Sequence, residues 1–191
     1  MIKTGIFGGS FNPIHKGHTA LAQQIIAQNL VDELWFVVSP QNPLKTDSSL
    51  MDDDLRLEMV KTATEGMNQV SASDFEFHLP RPSFMYQTLC ELEKSYPDRS
   101  FVLIIGADNW ALFDKWFRYK DILAQWPIII YPRESYPIDE TSLPGNVTFI
   151  DCPLYPISST EIRQGIANGK SVSKWLDEKV EKIMKQHHKI V

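Results

Sequence analysis

An apolar run over residues 2–7 leads directly into Gly8-Gly9-Ser10-Phe11-Asn12-Pro13-Ile14-His15-Lys16-Gly17-His18, and this order constrains the fold more than any other stretch of the chain. The run reads as a buried first strand, and residues 19–30 beyond the motif read as a helix. Two glycines at a strand end let backbone N–H groups approach a ligand closely, because no Cβ intervenes. A helix starting just afterwards offers free N–H groups and the positive end of its dipole. His15 and His18 are three residues apart at that entrance, so both rings can face one side. Strand, glycine turn, helix N-terminus and two imidazoles together describe a polyphosphate cradle. A Gly-Gly turn alone is common after a strand. Two histidines at this spacing also fit a surface accident or half of a metal site. No third ligand is near in sequence, and the spacing is not the His-x-x-x-His of a helical zinc site.

The rest of the chain alternates apolar strands with amphipathic helices. Strands are expected at 33–39, 69–74, 101–105, 127–131 and 147–150, and helices at 52–65 and 83–96. The second strand is nearly continuous in apolar residues, as strands of a parallel sheet covered on both faces are. Two helices close the chain. One starts at Ser158 or Ser159 and stops at Asn168-Gly169, and the other runs from about Ser173. The expectation is an α/β fold of Rossmann type: one open parallel sheet with helices on both faces, over 1–191, with the helices from about 158 packed on it. Residues 132–145 read as a long, mobile connection.

A second chemical cluster is Ile157-Ser158-Ser159-Thr160-Glu161-Ile162-Arg163. Ser158 and Glu161 have the spacing of a capping box, which suffices to explain those two residues. Capping explains neither the further hydroxyls nor Arg163, which lies one helical turn after Ser159 and can meet the same ligand. A third cluster, Gly106-Ala107-Asp108-Asn109, follows the fourth strand. Its glycine admits a flat ligand and its carboxylate can accept from ribose hydroxyls; capping the next helix is an equally good reading of Asp108. Trp110 and Trp116 follow, either as stacking faces for a heteroaromatic ring or as core.

Two of these motifs match signatures of the nucleotidylyltransferase superfamily, Gly-x-Phe-x-Pro-x-His-x-Gly-His and Ile-Ser-Ser-Thr-x-Ile-Arg. With Gly106-Ala107-Asp108 and Trp116 between them, the chain from Ile2 to about Gly169 resembles the nicotinate (or nicotinamide) mononucleotide adenylyltransferases. The resemblance implies that His15, His18 and Arg163 are catalytic and contact the triphosphate of ATP. It places Gly8, Gly9, Ser10, Phe11, Gly106, Asp108, Ile157, Ser158, Ser159 and Thr160 with them at the ATP. Lys45, Phe84, Met85, Tyr86, Trp116 and Arg133 fall at the mononucleotide, Trp116 stacking on the pyridine ring. Relatives specific for the acid often read Pro-Ser-Tyr-Thr-x-x-Thr near that ring, where this chain has Pro82-Ser83-Phe84-Met85-Tyr86-Gln87-Thr88. Met85 therefore removes one hydroxyl, so that either a pyridine carboxylate falls to backbone N–H groups or the amide is accepted.

The implied reaction is adenylyl transfer from ATP to nicotinate mononucleotide, with Mg²⁺ arriving on the ATP and no dedicated metal site. Nicotinamide mononucleotide, phosphopantetheine or flavin mononucleotide as acceptor, and a nucleotide-binding module without turnover, are the other readings. With a net charge of −5, the chain lacks the overall basic balance expected of a general nucleic-acid binder, whereas an anionic small substrate needs only local positive charge. No apolar run approaches the ~18 residues of a membrane span. The opening residues lack the apolar stretch of a secretion signal. Cys90 and Cys152 form no Cys-x-x-Cys pair, so free thiols in the cytoplasm are expected, with Cys90 as buried packing.

Overall fold

A computed structural model describes residues 1–40 and 50–188. Six strands, β1 (Ile2–Gly9), β2 (Glu33–Val38), β3 (Val70–Ser73), β4 (Arg99–Gly106), β5 (Ile128–Tyr131) and β6 (Val147–Phe149), form one sheet in the order β3-β2-β1-β4-β5-β6. Every adjacent pair is parallel. The order reverses between β1 and β4, and in such sheets ligands bind beyond the carboxyl ends of the strands at the reversal.

The apolar strands feed two cores, one on each face. In β4, Val102 and Ile104 face one core while Phe101, Leu103 and Ile105 face the other. In β5, Ile129 and Tyr131 oppose Ile128 and Ile130, and in β1 Phe7 opposes Ile6. This is the period of two of a pleated strand, and both faces are covered, so the sequence looks continuously apolar instead of alternating. The first core takes its helical residues from α1 (Lys16–Ala27), α2 (Asp53–Thr64), α6 (Ser159–Ala167) and α7 (Glu178–His188). The second takes them from α3 (Met85–Ser95), α5 (Tyr119–Gln125) and Ala107, which opens the short helix after β4. A four-residue helix, α4 (Ala107–Trp110), follows β4 directly.

Local chemistry sets the helix ends. Asp52 caps α2 by accepting from the Asp54 N–H at 3.0 Å, and Asp53 and Asp54 sit at the positive end of its dipole. Ser158 and Glu161 form the expected capping box at α6, and Gly169, at φ +66°, follows its C-cap. Three expectations are corrected. Helix α1 begins at Lys16 instead of residue 19, with His15 as its N-cap. The last helix begins at Glu178, because Trp175 and Leu176 belong to a preceding turn in which the Trp175 and Leu176 N–H groups both donate to the Val172 carbonyl. Cys90 packs against the second core as expected but is half-buried instead of buried; both cysteines are free thiols. In 132–145, Arg133 bridges to Tyr136, and Asp139 caps a turn at Glu140–Ser142. No described helix is long and apolar enough to cross a membrane.

Candidate active site

A cleft of about 920 Å³ opens beyond the carboxyl ends of β1 and β4, where the strand order reverses. One wall is the loop after β1. Phe11 holds a left-handed backbone (φ 45°), which costs a bulky residue energy that its surroundings must supply. Its ring packs edge-on against Phe36 and His18, each at 5.2 Å. His18 is thus buttressed from behind by an aromatic ring, and in front it stacks on His15 with ring centres 3.7 Å apart.

The His15 N–H donates to Nδ1 of His18 at 3.2 Å. An accepting Nδ1 carries no proton, so neutral His18 holds its hydrogen on Nε2 as a donor. Gly17 permits this pairing, because a Cβ there would lie 3.0 Å from the His15 ring and 3.1 Å from Tyr155. Burial holds both imidazoles in the neutral form. The His15 pKa falls to about 4, through burial first and then the Arg133 charge. That of His18 lies well below 6.5, through burial, His15 and Arg133. His15 Nδ1 is buried with no hydrogen-bond partner.

The expectation that α1 presents a set of free N–H groups needs correction. Its Lys16 N–H donates to the Trp175 carbonyl at 2.8 Å, and the His18 and Thr19 N–H groups turn back onto the His15 carbonyl. Side chains, more than the helix end, therefore face the cleft.

The opposite wall is the start of α6, which is tied to the β1 loop. Ser159 Oγ donates to the Pro13 carbonyl at 2.8 Å, and Arg163 donates to the Asn12 carbonyl at 2.7 Å. The two sequence motifs, some 150 residues apart, are thus in direct contact. The floor is the end of β4, where the Asp108 carboxylate folds back over Gly106 into the space a side chain would fill. Arg133 reaches from the end of β5 to 3.4 Å from Asp108 and 3.3 Å from the Tyr131 hydroxyl. The Arg133 Nε and Asp108 Oδ1 atoms are both buried without a hydrogen bond.

Phe84, Met85, Trp116 and Phe117 form the aromatic and thioether end of the cleft. Met85 Cε lies 2.6 Å from where a Cβ on Gly8 would stand, so this glycine is what lets the methionine lie across the end of β1. Trp116 lines the cleft with its indole N–H buried and unpaired, whereas Trp110 stacks on Phe113 outside it. Tyr86 does not line the cleft; its ring turns to Trp126 and lies under Arg118. Gly8, Gly9, Ser10, Ile157, Ser158 and Thr160 all line it, and Lys45 lies outside the described residues. Among the described residues no group of three or more His, Cys, Asp or Glu stands where it could hold a metal ion.

Sequence reasoning missed two buried residues. Arg56, fully buried in α2, donates to the carbonyls of Ser10, Ser39, Pro40 and Met51 and to Asp53, which ties together the loops after β1 and β2. Glu76 is buried beside Ser83 and Thr88. Neither belongs to a recognisable motif, and the partners that reach it from distant segments, Ser10 and Ser39 for Arg56 and Thr88 for Glu76, appear only in the fold.

A sequence model of the cytidylyltransferase-like family matches residues 6–165. The chain is 49% identical over 186 residues to the "Probable nicotinate-nucleotide adenylyltransferase" of Bacteroides thetaiotaomicron, covering 97% of this chain and 92% of that one. It is 42% identical over 174 residues to the protein of the same name from Porphyromonas gingivalis, covering 91% and 88%. In structure it is similar to the Plasmodium falciparum nicotinic acid mononucleotide adenylyltransferase complexed with NaAD. The TM-score is 0.83 over 98% of this chain and 96% of that one, at 20% identity.

Proposed function

The chain belongs to the cytidylyltransferase-like family, in its nicotinate-nucleotide adenylyltransferase branch, and from that premise we propose that it transfers the adenylyl group of ATP to nicotinate mononucleotide. The products are nicotinate adenine dinucleotide and pyrophosphate. The observation that carries this reading is that His15, His18, Arg163 and Trp116 line one cleft beyond the strand reversal. A triphosphate cradle and a stacking wall for a flat ring are adjacent there. The shared core of α6, α7 and the sheet supports treating 1–191 as one nucleotidylyltransferase domain.

The mononucleotide phosphate attacks the α-phosphorus in line with the departing pyrophosphate. A phosphate monoester with a second pKa of ~6 is mostly ionised at neutral pH, so no strong general base is required. Catalysis is then positioning plus stabilisation of charge on the leaving group. His18 donates from Nε2, and the bound triphosphate draws a proton onto the His15–His18 pair. Arg163, held by the Asn12 carbonyl, adds a fixed positive charge at the same phosphates. Gly8, Gly9, Ser10 and Phe11, with Ile157, Ser158, Ser159 and Thr160, shape the ATP pocket, and Gly106 and Asp108 receive the adenosine side. Mg²⁺ enters as part of the MgATP substrate.

Trp116 stacks on the pyridine ring, with Phe84 and Met85 beside it and Arg133 and Lys45 at the mononucleotide. The carboxylate of the acid form meets backbone N–H groups at Phe84 and Met85, where α3 starts and lines the cleft. The amide form is the second reading, favoured by one observation: Met85 places a thioether, not a hydroxyl, over Gly8. The reading also places the enzyme in the cytoplasm, with ATP and a pyridine mononucleotide as its partners. A pyrophosphate-release assay with nicotinate mononucleotide, nicotinamide mononucleotide, phosphopantetheine and flavin mononucleotide tests it. Release with the pyridine nucleotides, fastest with the acid, supports it. Release only with one of the other two, or none with any, overturns it.

A further inference from the structure

Glu76 is only 3% exposed, yet it lines the cleft beside Ser39 and Ser83. One carboxylate oxygen accepts from Ser83 Oγ at 2.9 Å and the other from Thr88 Oγ1 at 2.9 Å. The Ser39 hydroxyl, just past the end of β2, lies close enough to favour the charged form as well, without a hydrogen bond as short as these two. All three are neutral hydroxyls. Burial pushes the carboxyl up, and the three hydroxyls pull it back only in part. Among the described residues no cation faces it, and a carboxyl buried among hydroxyls alone costs stability, so a chain that needed only to fasten a loop would do better with an amide or an apolar contact.

What the carboxyl grips is the start of α3. Phe84 is the N-cap of that helix and has no side chain able to cap it. Ser83 precedes the cap and Thr88 lies one turn inside, so Glu76 straddles the cap from outside the helix. The residues between its two grips, Phe84 and Met85, are those that line the aromatic end of the cleft. Phe84 packs at a tilt against Phe117, ring centres 5.0 Å apart, and Met85 lies across Gly8. Ser39, which lies beside the carboxyl, donates its N–H to the Gly9 carbonyl at 2.9 Å, so the carboxyl also sits against the residue that holds the glycine turn. Glu76 therefore joins the turn after β1 to the wall formed by the start of α3.

We propose that Glu76 is a positioning residue for the pyridine subsite: by holding Ser83 and Thr88 beside Ser39 it sets where Phe84, Met85 and the first N–H groups of α3 stand, and so sets mononucleotide affinity and the preference for acid over amide. It touches neither substrate. The inference rests on the adenylyl-transfer reading above.

The experiment uses the full chain, with KM for ATP and for nicotinate mononucleotide measured separately, and kcat/KM for both pyridine forms. Glu76→Ala should raise KM for the mononucleotide by about tenfold, roughly the effect of losing one well-placed contact, with KM for ATP within about twofold. The acid-to-amide ratio should fall. Glu76→Gln, which keeps the shape and lets one hydroxyl turn round to accept, should recover most of the loss. Ser83→Ala combined with Glu76→Ala should cost no more than Glu76→Ala alone, since both cut one network. Should Glu76→Ala fail to fold, Thr88→Val removes one grip and should show the same KM pattern in milder form. Equal rises in both KM values, or an unchanged mononucleotide KM in a folded variant, overturn the inference. A wild-type chain that does not turn over ATP with nicotinate mononucleotide overturns the functional reading itself, which the wild-type control reveals before any variant is made.

Discussion

Binding of the triphosphate should be accompanied by uptake of one proton by the His15–His18 pair. His15 has a pKa of about 4 and His18 lies well below 6.5, so both rings are neutral at pH 7. Half-protonating His15 at pH 7 requires a rise of about 3 units, or ~4 kcal/mol. One phosphate charge about 4 Å away at an effective dielectric near 20 supplies ~4 kcal/mol, enough for one ring. A second proton would meet the first across ring centres 3.7 Å apart, at a cost of about the same size, so the pair should take one proton and not two. The assay is calorimetric titration of an ATP analogue with a methylene bridge between the α- and β-phosphorus, in buffers of different ionisation enthalpy. A His15→Asn/His18→Asn double variant serves as reference and cancels the titration of the nucleotide itself. The excess uptake should approach one at pH 6 and fall toward zero by pH 8, with affinity rising as pH falls. Equal uptake in wild type and double variant at pH 6, or an excess near two, would refute the reasoning. The same lowered pKa values act on folding with a defined sign. The unfolded chain binds these protons more readily, so the contribution of the pair to stability is present above pH 6.5 and is lost as pH falls toward 4.

His18→Ala should lower kcat by about 10²–10³ with little change in ATP binding, the scale of removing one preorganised donor; Arg163→Ala should be non-additive with it, and near-normal kcat or additive losses would dissolve the shared role. Trp116→Ala should raise KM for the mononucleotide alone, by the roughly 1–3 kcal/mol that base stacking contributes; an unchanged mononucleotide affinity in a binding titration would remove Trp116 from the pocket. Met85→Thr removes the thioether over Gly8 and returns a hydroxyl, and should increase the acid-to-amide ratio of kcat/KM; an unchanged ratio would make Met85 a packing substitution. Arg56→Ala strands four carbonyls and should destabilise the fold by about 3–5 kcal/mol in urea titrations, and a loss under about 1 would show that the loops after β1 and β2 hold themselves.

Much of this was legible in the sequence for physical reasons. Val102, Ile104, Ile129 and their neighbours form nearly unbroken apolar runs because both sheet faces are covered, and such runs announce a parallel α/β sheet directly. The cradle was legible because all its residues lie in two short motifs. The start of α1 was not, because histidine is an uncommon cap and Pro13 and Gly17 look like helix breakers. Helix α5 was missed, being seven residues long and entered from Arg118 in a left-handed conformation. The turn before α7 reads as helix in the sequence because Trp175, Leu176 and Val180 keep a helical spacing while packing on the core. Tyr86 sits within a recognisable motif, yet its ring points away from the cleft toward Trp126, a choice that only the packing of α3 decides. Arg56 and Glu76 have no local signature, since the partners that matter come from other segments.

The central claim is that the acceptor phosphate attacks the α-phosphorus of ATP in this cleft. Phosphorus NMR of one reaction containing the chain, Mg²⁺, ATP and nicotinate mononucleotide tests it in a single spectrum. The account requires the ATP and mononucleotide signals to fall together as pyrophosphate and a dinucleotide diphosphate grow in equal amounts, far beyond the enzyme present. Growth of ADP or AMP with the mononucleotide signal unchanged would contradict it.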